Sequence, residues 1–281
     1  RLDKEPWVKL PPAKFPPGES VYAIAPMIGR DGFAAGTRTG KLRLYYPAQK
    51  ERDDFPYEAT QWNHGAPVLT LAWTDRSRLA VGDTLERCLV WDVQAPETPP
   101  APLRKGTGMI CALLRLGEDE LLGLSSAGEL TRWRLPDGEI LGTETLPAPP
   151  SKHACIQLTQ WHAADAIVYP ARGGQLVLYE PASSRVRSID AHEGNFFAAA
   201  ELGEGLVTAG YDEPCLRLWA AGRDEPQLEV PLPDGTLGVT GIDHERRMIL
   251  RIHQSGRATV GTFGDGTWHV ISQIEGEAFR V

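Results

Sequence analysis

The chain has 281 residues, enough for two average domains or for one large all-β domain. Its 42% hydrophobic and 23% charged content is near the globular average, so a folded chain is expected and not a disordered one. A net charge of −8 argues against nucleic acid as the partner, because phosphate binding is driven by Lys and Arg, and no apolar run is long enough to span a membrane. From the N-terminal end, apolar runs at 21–27, 32–36 and 41–45 are separated by short turns, and the third ends on Tyr45. The same three-run pattern returns at 68–73, 79–82 and 88–91, ending on Trp91, and at 109–116, 121–124 and 130–133, ending on Trp133. Further copies end on Leu176-Val177-Leu178-Tyr179 and Leu216-Arg217-Leu218-Trp219. A sixth unit runs from Leu237 through 248–250 to 257–260, with its anchor on Phe263 or, if Gly256 sets the register, on Gly261.

The closing aromatics are spaced by 46, 42, 46 and 40 residues. Gly40, Gly128 and Gly174 each precede their aromatic by five residues, where glycine suits a tight hairpin turn. Strand-like stretches at 139–146, 185–189, 227–232 and 268–274 supply a fourth strand per unit, and the 29 glycines and 23 prolines suit so many turns. No amphipathic helix of 11 or more residues is legible. Four short antiparallel strands every 40–46 residues predict one all-β domain over 1–281, a β-propeller of four-stranded antiparallel blades. Six blades are expected, with seven as the alternative, at about 18–62, 63–105, 106–150, 151–190, 191–233 and 234–275. Segments 1–17 and 276–281 are left to close the ring, with Trp7 to Leu10 as the closing strand.

Trp91-Asp92 is a Trp-Asp pair, His64 lies 27 residues before Trp91, His192 lies 27 before Trp219, and His153 lies 26 before Tyr179. Counting back 27 from Tyr45 and Trp133 reaches Gly18 and Gly106. In these features the chain resembles the WD-repeat propeller family, in a divergent form that composition suggests is bacterial. In that family a His, a Ser or Thr on the second strand, an Asp in the following turn and the Trp form a hydrogen-bonded set. The resemblance therefore implies His192, Thr208, Asp212 and Trp219 as the set of the fifth unit, with Asp212 one residue out of the usual register. For the second unit it implies His64, Asp83 or Thr84, and Trp91. The physical need is plain, since a buried indole N–H requires an acceptor and an imidazole can relay between it and a carboxylate.

Chemistry is sparse. No G-x-S-x-G elbow, P-loop or dinucleotide fingerprint occurs, so no catalytic residue and no cofactor are assigned. The histidine pairs His153/His162 and His244/His253 are nine residues apart, unlike the spacing of a zinc protease, and no metal site is assigned. Glu118-Asp119-Glu120 reads as a solvated hairpin turn, and Gly264-Asp265-Gly266 as a turn between strands. The four cysteines, Cys88, Cys111, Cys155 and Cys215, are scattered through apolar runs without a C-x-x-C pair. They read as reduced small hydrophobes, and a cytoplasmic location is expected.

In WD-repeat propellers partners most often use the face that carries the loop between fourth and first strands and the turn between second and third. On this chain the resemblance assigns Arg38, Arg87, Arg172, Glu193, Asn195 and Tyr211 to that face as candidate partner-binding residues. Phe196 lies there too, with a core role as the competing reading. Trp73 and Trp161 end first strands and are expected to pack between blades. The function expected is a non-catalytic scaffold that binds a protein or peptide, within a larger signalling or defence assembly. The alternative is a propeller enzyme acting on a small molecule or sugar at the central channel.

Overall fold

The computed structural model describes residues 21–28, 33–47, 57–103, 108–135, 137–146, 156–232, 235–243, 248–253, 258–264 and 267–274. These residues form six antiparallel sheets of four strands, each strand pairing with the next in sequence. Blade one comprises β1 (Val21–Pro26), β2 (Phe33–Thr37), β3 (Lys41–Pro47) and β4 (Tyr57–Asn63). Blade two comprises β5 (Val68–Trp73), β6 (Arg78–Asp83), β7 (Cys88–Asp92) and β8 (Ala101–Leu103). Blade three comprises β9 (Ile110–Leu116), β10 (Glu120–Ser125), β11 (Glu129–Arg134) and β12 (Ile140–Thr145). Blade four comprises β13 (Thr159–Trp161), β14 (Ala166–Pro170), β15 (Gln175–Glu180) and β16 (Arg185–Asp190). Blade five comprises β17 (Phe196–Leu202), β18 (Gly205–Gly210), β19 (Cys215–Ala220) and β20 (Leu228–Pro231). Blade six comprises β21 (Thr236–Asp243), β22 (Met248–His253), β23 (Ala258–Gly264) and β24 (Thr267–Ile274). The helices among the described residues are single 3₁₀ turns at His162–Ala164 and Arg172–Gly174, and none is long and apolar enough to cross a membrane.

The continuous apolar runs follow from burial on both faces. In β18, Leu206 joins Ala199 and Trp219 in a core shared with blade four, while Val207 and Ala209 join Leu216 and Val239 in a core shared with blade six. Alternate residues of one strand thus serve opposite neighbours, so no polar alternation marks the sequence. Five such cores occur among the described residues, each between successive blades from one to six. First strands pack in succession, β1 on β5, β5 on β9, β13 on β17 and β17 on β21, which sets them on the inside of the ring.

Trp73 and Trp161 tie blades together, as their positions suggested. The Trp73 indole donates to the Ala25 carbonyl of blade one at 3.1 Å, and that of Trp161 to the Glu204 carbonyl of blade five at 3.0 Å. The register of blade six selects between its two candidate anchors. Ile249 opposes Gly261, as Leu206 opposes Trp219, so the anchor slot falls on Gly261. A Cβ there would come within 2.3 Å of the Trp268 ring, so an indole from the fourth strand occupies the space that the third-strand aromatic takes elsewhere. The expected closing strand at 7–10, together with Gly18, Gly106, His153, His244 and Cys155, lies outside the described residues.

Candidate functional site at the loop end of the blades

The turn between second and third strands meets the loop that enters a first strand, that of its own blade in blades three and five and that of the next blade from blades one and four. His64 N–H donates to the Gly40 carbonyl at 2.7 Å, Ser126 N–H to Met109 at 2.8 Å, His192 N–H to Gly174 at 2.9 Å and Tyr211 N–H to Asn195 at 3.0 Å. The meeting is too close for a side chain: a Cβ on Gly174, whose φ is +80°, would stand 1.8 Å from the His192 carbonyl oxygen. Glycine is required there twice over, for its left-handed backbone and for the approach.

Under this surface lie two hydrogen-bonded sets. In blade two the Trp91 indole donates to His64 Nδ1 at 3.1 Å, and His64 Nε2 meets Asp83 Oδ2 at 2.9 Å. Since Nδ1 accepts, the proton of the neutral ring sits on Nε2 and is given to the carboxylate. Asp83 also takes the backbone N–H groups of Leu85 at 2.8 Å and Arg87 at 3.1 Å, and the Arg87 Nε at 2.7 Å. Burial works to raise the Asp83 pKa, but the Arg87 contacts and His64 hold it below the usual carboxylate value. Burial also lowers the His64 pKa, and outweighs the opposing pull of Asp83. Thr84 takes no part through its side chain; its backbone N–H donates to Pro67.

In blade five the order is different. The Trp219 indole donates to Thr208 Oγ1 at 2.9 Å, and Thr208 Oγ1 lies 2.9 Å from His192 Nε2. The Thr208 oxygen could accept from both rings, but Nδ1 faces the Glu213 carboxylate, which only accepts; this places the ring proton on Nδ1 and leaves the hydroxyl to donate to Nε2. Nδ1 faces Glu213 Oε2 and Cys215 Sγ, each at 3.5 Å. Burial, reinforced by Arg217, lowers the His192 pKa to about 4 against the pull of Glu213, so the ring is neutral near pH 7.

Asp212, expected in this set, is elsewhere. Its carboxylate accepts from the backbone and side-chain N–H groups of Asn195, both at 2.8 Å, and braces the loop from outside. Asp212 lies on the exposed side of the bend at 211–213, while Glu213, one residue on, is half-buried. Glu213 is the acid beside His192, held by Arg217 at 2.7 Å and by the Glu193 N–H at 2.8 Å.

The other anchors are solved without a histidine. The Tyr179 hydroxyl donates to Glu144 of blade three at 2.5 Å, and Tyr45 stacks on Phe33 at 4.6 Å. Trp133 is fully buried and its indole N–H finds no acceptor among the described residues, with Gly123 pressed beneath the ring.

The six candidate binding residues fall into two groups separated by blade three. Arg38 and Arg87 lie in the second turns of blades one and two, the first exposed and the second pinned to Asp83. Arg172, Glu193, Asn195 and Tyr211 lie in the loops of blades four and five, with Asn195 and Tyr211 joined through the backbone. Phe196 is fully buried, against the His192 ring at 4.9 Å. Sequence reasoning missed Leu85, which is 56% exposed at the tip of the blade-two turn. The signal was present as an isolated leucine in a Thr-Leu-Glu-Arg turn, where nothing apolar is needed for the fold.

No family model and no curated protein matches the chain. Among solved structures, one described as the structure of U3-55K superposes with a TM-score of 0.69 at 15% identity, over 91% of this chain and 82% of that one. The crystal structure of RRP9 WD40 repeats gives 0.71 at 14% identity, over 91% and 81%. At such identities the likeness is one of fold, and the fold is that of a WD40-type β-propeller.

Proposed function

We propose that this propeller is a non-catalytic cytoplasmic scaffold that holds a protein or peptide partner on the loop end of its blades. The reading is carried by the blade-two turn, where Asp83 fixes the backbone of Leu85 and Arg87 and leaves the leucine in solvent. The exposed leucine offers apolar area that a partner can bury, the arginine beside it is of a type enriched at interfaces, and ordering the turn in advance lowers the entropy cost of binding. Arg38, in the corresponding turn of blade one, and Arg172, in that of blade four, are exposed cations on the same end. The histidines and acids of the two hydrogen-bonded sets, His64, His192, Asp83 and Glu213, are engaged in holding the loops.

Affinity capture from source-cell extract, with and without nuclease treatment, tests this, comparing the unaltered chain with a Leu85→Glu, Arg38→Glu, Arg172→Glu variant. Arg87 is left in place because its change would release Asp83. Loss of the captured proteins with the variant supports the reading. Capture of the same proteins at the same level by both chains overturns the choice of face, and capture that vanishes on nuclease treatment overturns the choice of partner.

A further inference from the structure

We propose that His192, Glu213 and Cys215 hold one zinc ion at the loop end of blade five. The proposal stands apart from the scaffold reading and rests on spacing. His192 Nδ1 is 3.5 Å from Cys215 Sγ and 3.5 Å from Glu213 Oε2, and the three atoms lie within 4.8 Å of one another. The Glu213 contact is too long for a good hydrogen bond and the Cys215 contact is only a weak one through sulfur, whereas His64 in blade two makes contacts of 2.9 and 3.1 Å. A fully buried imidazole nitrogen here faces two donor atoms across a gap. Zinc bonds of about 2.0–2.3 Å at tetrahedral angles hold neighbouring ligand atoms about 3.3–3.5 Å apart, which is the spacing seen around Nδ1.

The ligands are oriented before any metal arrives. Thr208 fixes the far nitrogen of His192 at 2.9 Å. Arg217 holds Glu213 Oε1 at 2.7 Å, and the Glu193 N–H holds Oε2 at 2.8 Å. Outer partners of this kind are what orient metal-bound imidazoles and carboxylates. Gly210 lets the backbone of Glu213 come close, since a Cβ there would stand 1.9 Å from the Glu213 carbonyl oxygen and also 2.9 Å from Nδ1. A nitrogen, a sulfur and an oxygen in a closed, partly apolar pocket suit zinc better than the harder magnesium or calcium. Glu213 is partly exposed, so water can reach the ion and complete the shell.

Charge closes with the metal bound, because one thiolate and one carboxylate offset a divalent ion. Arg217 is the opposing charge nearby, and it is itself paired with Glu229 at 2.7 Å as well as with Glu213. Of the other acids on these loops, Asp212 turns to Asn195, and Glu193 points its side chain to solvent. Binding replaces the Cys215 S–H with an S–Zn bond and releases one proton, since burial keeps the free thiol protonated up to about 12. His192 is already neutral; its proton passes from Nδ1 to Nε2 and is donated to Thr208, with no net release.

The test is titration of the chelator-treated full chain with cobalt(II) chloride, followed by back-titration with zinc chloride. One equivalent of cobalt should bind, with an intense near-ultraviolet thiolate-to-cobalt band that one equivalent of zinc removes. Cys215→Ala should abolish the band and Cys88→Ala, a buried thiol of blade two, should keep it. Glu213→Gln should retain the band but weaken cobalt binding at least about tenfold. Far-ultraviolet circular dichroism on each variant separates loss of ligand from loss of fold, and if Cys215→Ala unfolds, the Glu213→Gln affinity decides. Absence of a thiolate band in the unaltered chain, persistence of the band in Cys215→Ala, or unchanged affinity in Glu213→Gln overturns the site.

Discussion

Blades two and five carry the same 27-residue separation between histidine and tryptophan, and they connect the pair in opposite senses. In blade two the indole reaches the imidazole directly and the carboxylate takes the Nε2 proton. In blade five a threonine hydroxyl stands between indole and imidazole, and the acid lies on the Nδ1 side. The spacing fixes where the ring sits; the polar residue on the second strand fixes which way the protons run. Where β18 offers Thr208 the relay passes through it, and where β6 offers Val81 at the corresponding register the indole goes straight to the ring. The consequence reaches the surface: in blade two Asp83 at the end of β6 is free to organise the exposed turn, while in blade five the turn acid is drawn in beside His192 and Cys215.

The difference can be broken at the carboxylate. Asp83→Ala should be the most damaging single change, since it strands the His64 ring, two backbone N–H groups and the Arg87 guanidinium at once. A loss of about 3–5 kcal/mol in denaturant-monitored unfolding is expected. Replacing Glu213, which is partly exposed, should cost clearly less.

Acid should strike blade five through its histidine. With the His192 pKa lowered to about 4 from 6.5, the unfolded chain binds the proton more readily. Stability from this group is therefore complete above about pH 6.5 and is lost as pH falls towards about 4, by something on the order of 2–3 kcal/mol. His192→Asn should flatten that part of the metal-free pH–stability curve relative to the unaltered chain.

The relay itself is tested by Thr208→Val, which keeps the shape and removes the hydroxyl. Two buried groups lose their partner, and about 2 kcal/mol should be lost, whereas Thr208→Ser should recover most of it. Smallest is the effect at Trp133, whose indole N–H has no acceptor among the described residues to lose. Trp133→Phe should therefore cost about 1 kcal/mol less than Trp219→Phe in the same assay.

Much of the fold was legible because each blade repeats its punctuation. The five closing aromatics and the turn glycines are forced by packing and by backbone conformation, and both leave a fixed trace in the spacing. The fourth strands at 140–145, 185–190, 228–231 and 267–274 fall where strand-like stretches were read. What the sequence hid is what depends on contacts between loops. Asp212 and Glu213 are adjacent acids, and only the direction of the turn decides that Glu213 faces His192. Trp268 covers Gly261 from the neighbouring strand, a compensation that a search along one strand cannot find. Cys215 reads as one more buried apolar residue until the loop carrying His192 is laid over it. Leu85 is an ordinary turn residue in the sequence and becomes distinctive only by its exposure.

The most direct measurement is the ring tautomer of the two histidines, read from ¹⁵N chemical shifts and long-range ¹H–¹⁵N correlations in chelator-treated protein near pH 7. His64 should carry its proton on Nε2 and His192 on Nδ1, with Thr208→Val disturbing only the second. The same tautomer at both positions would contradict the opposed wiring of the two blades.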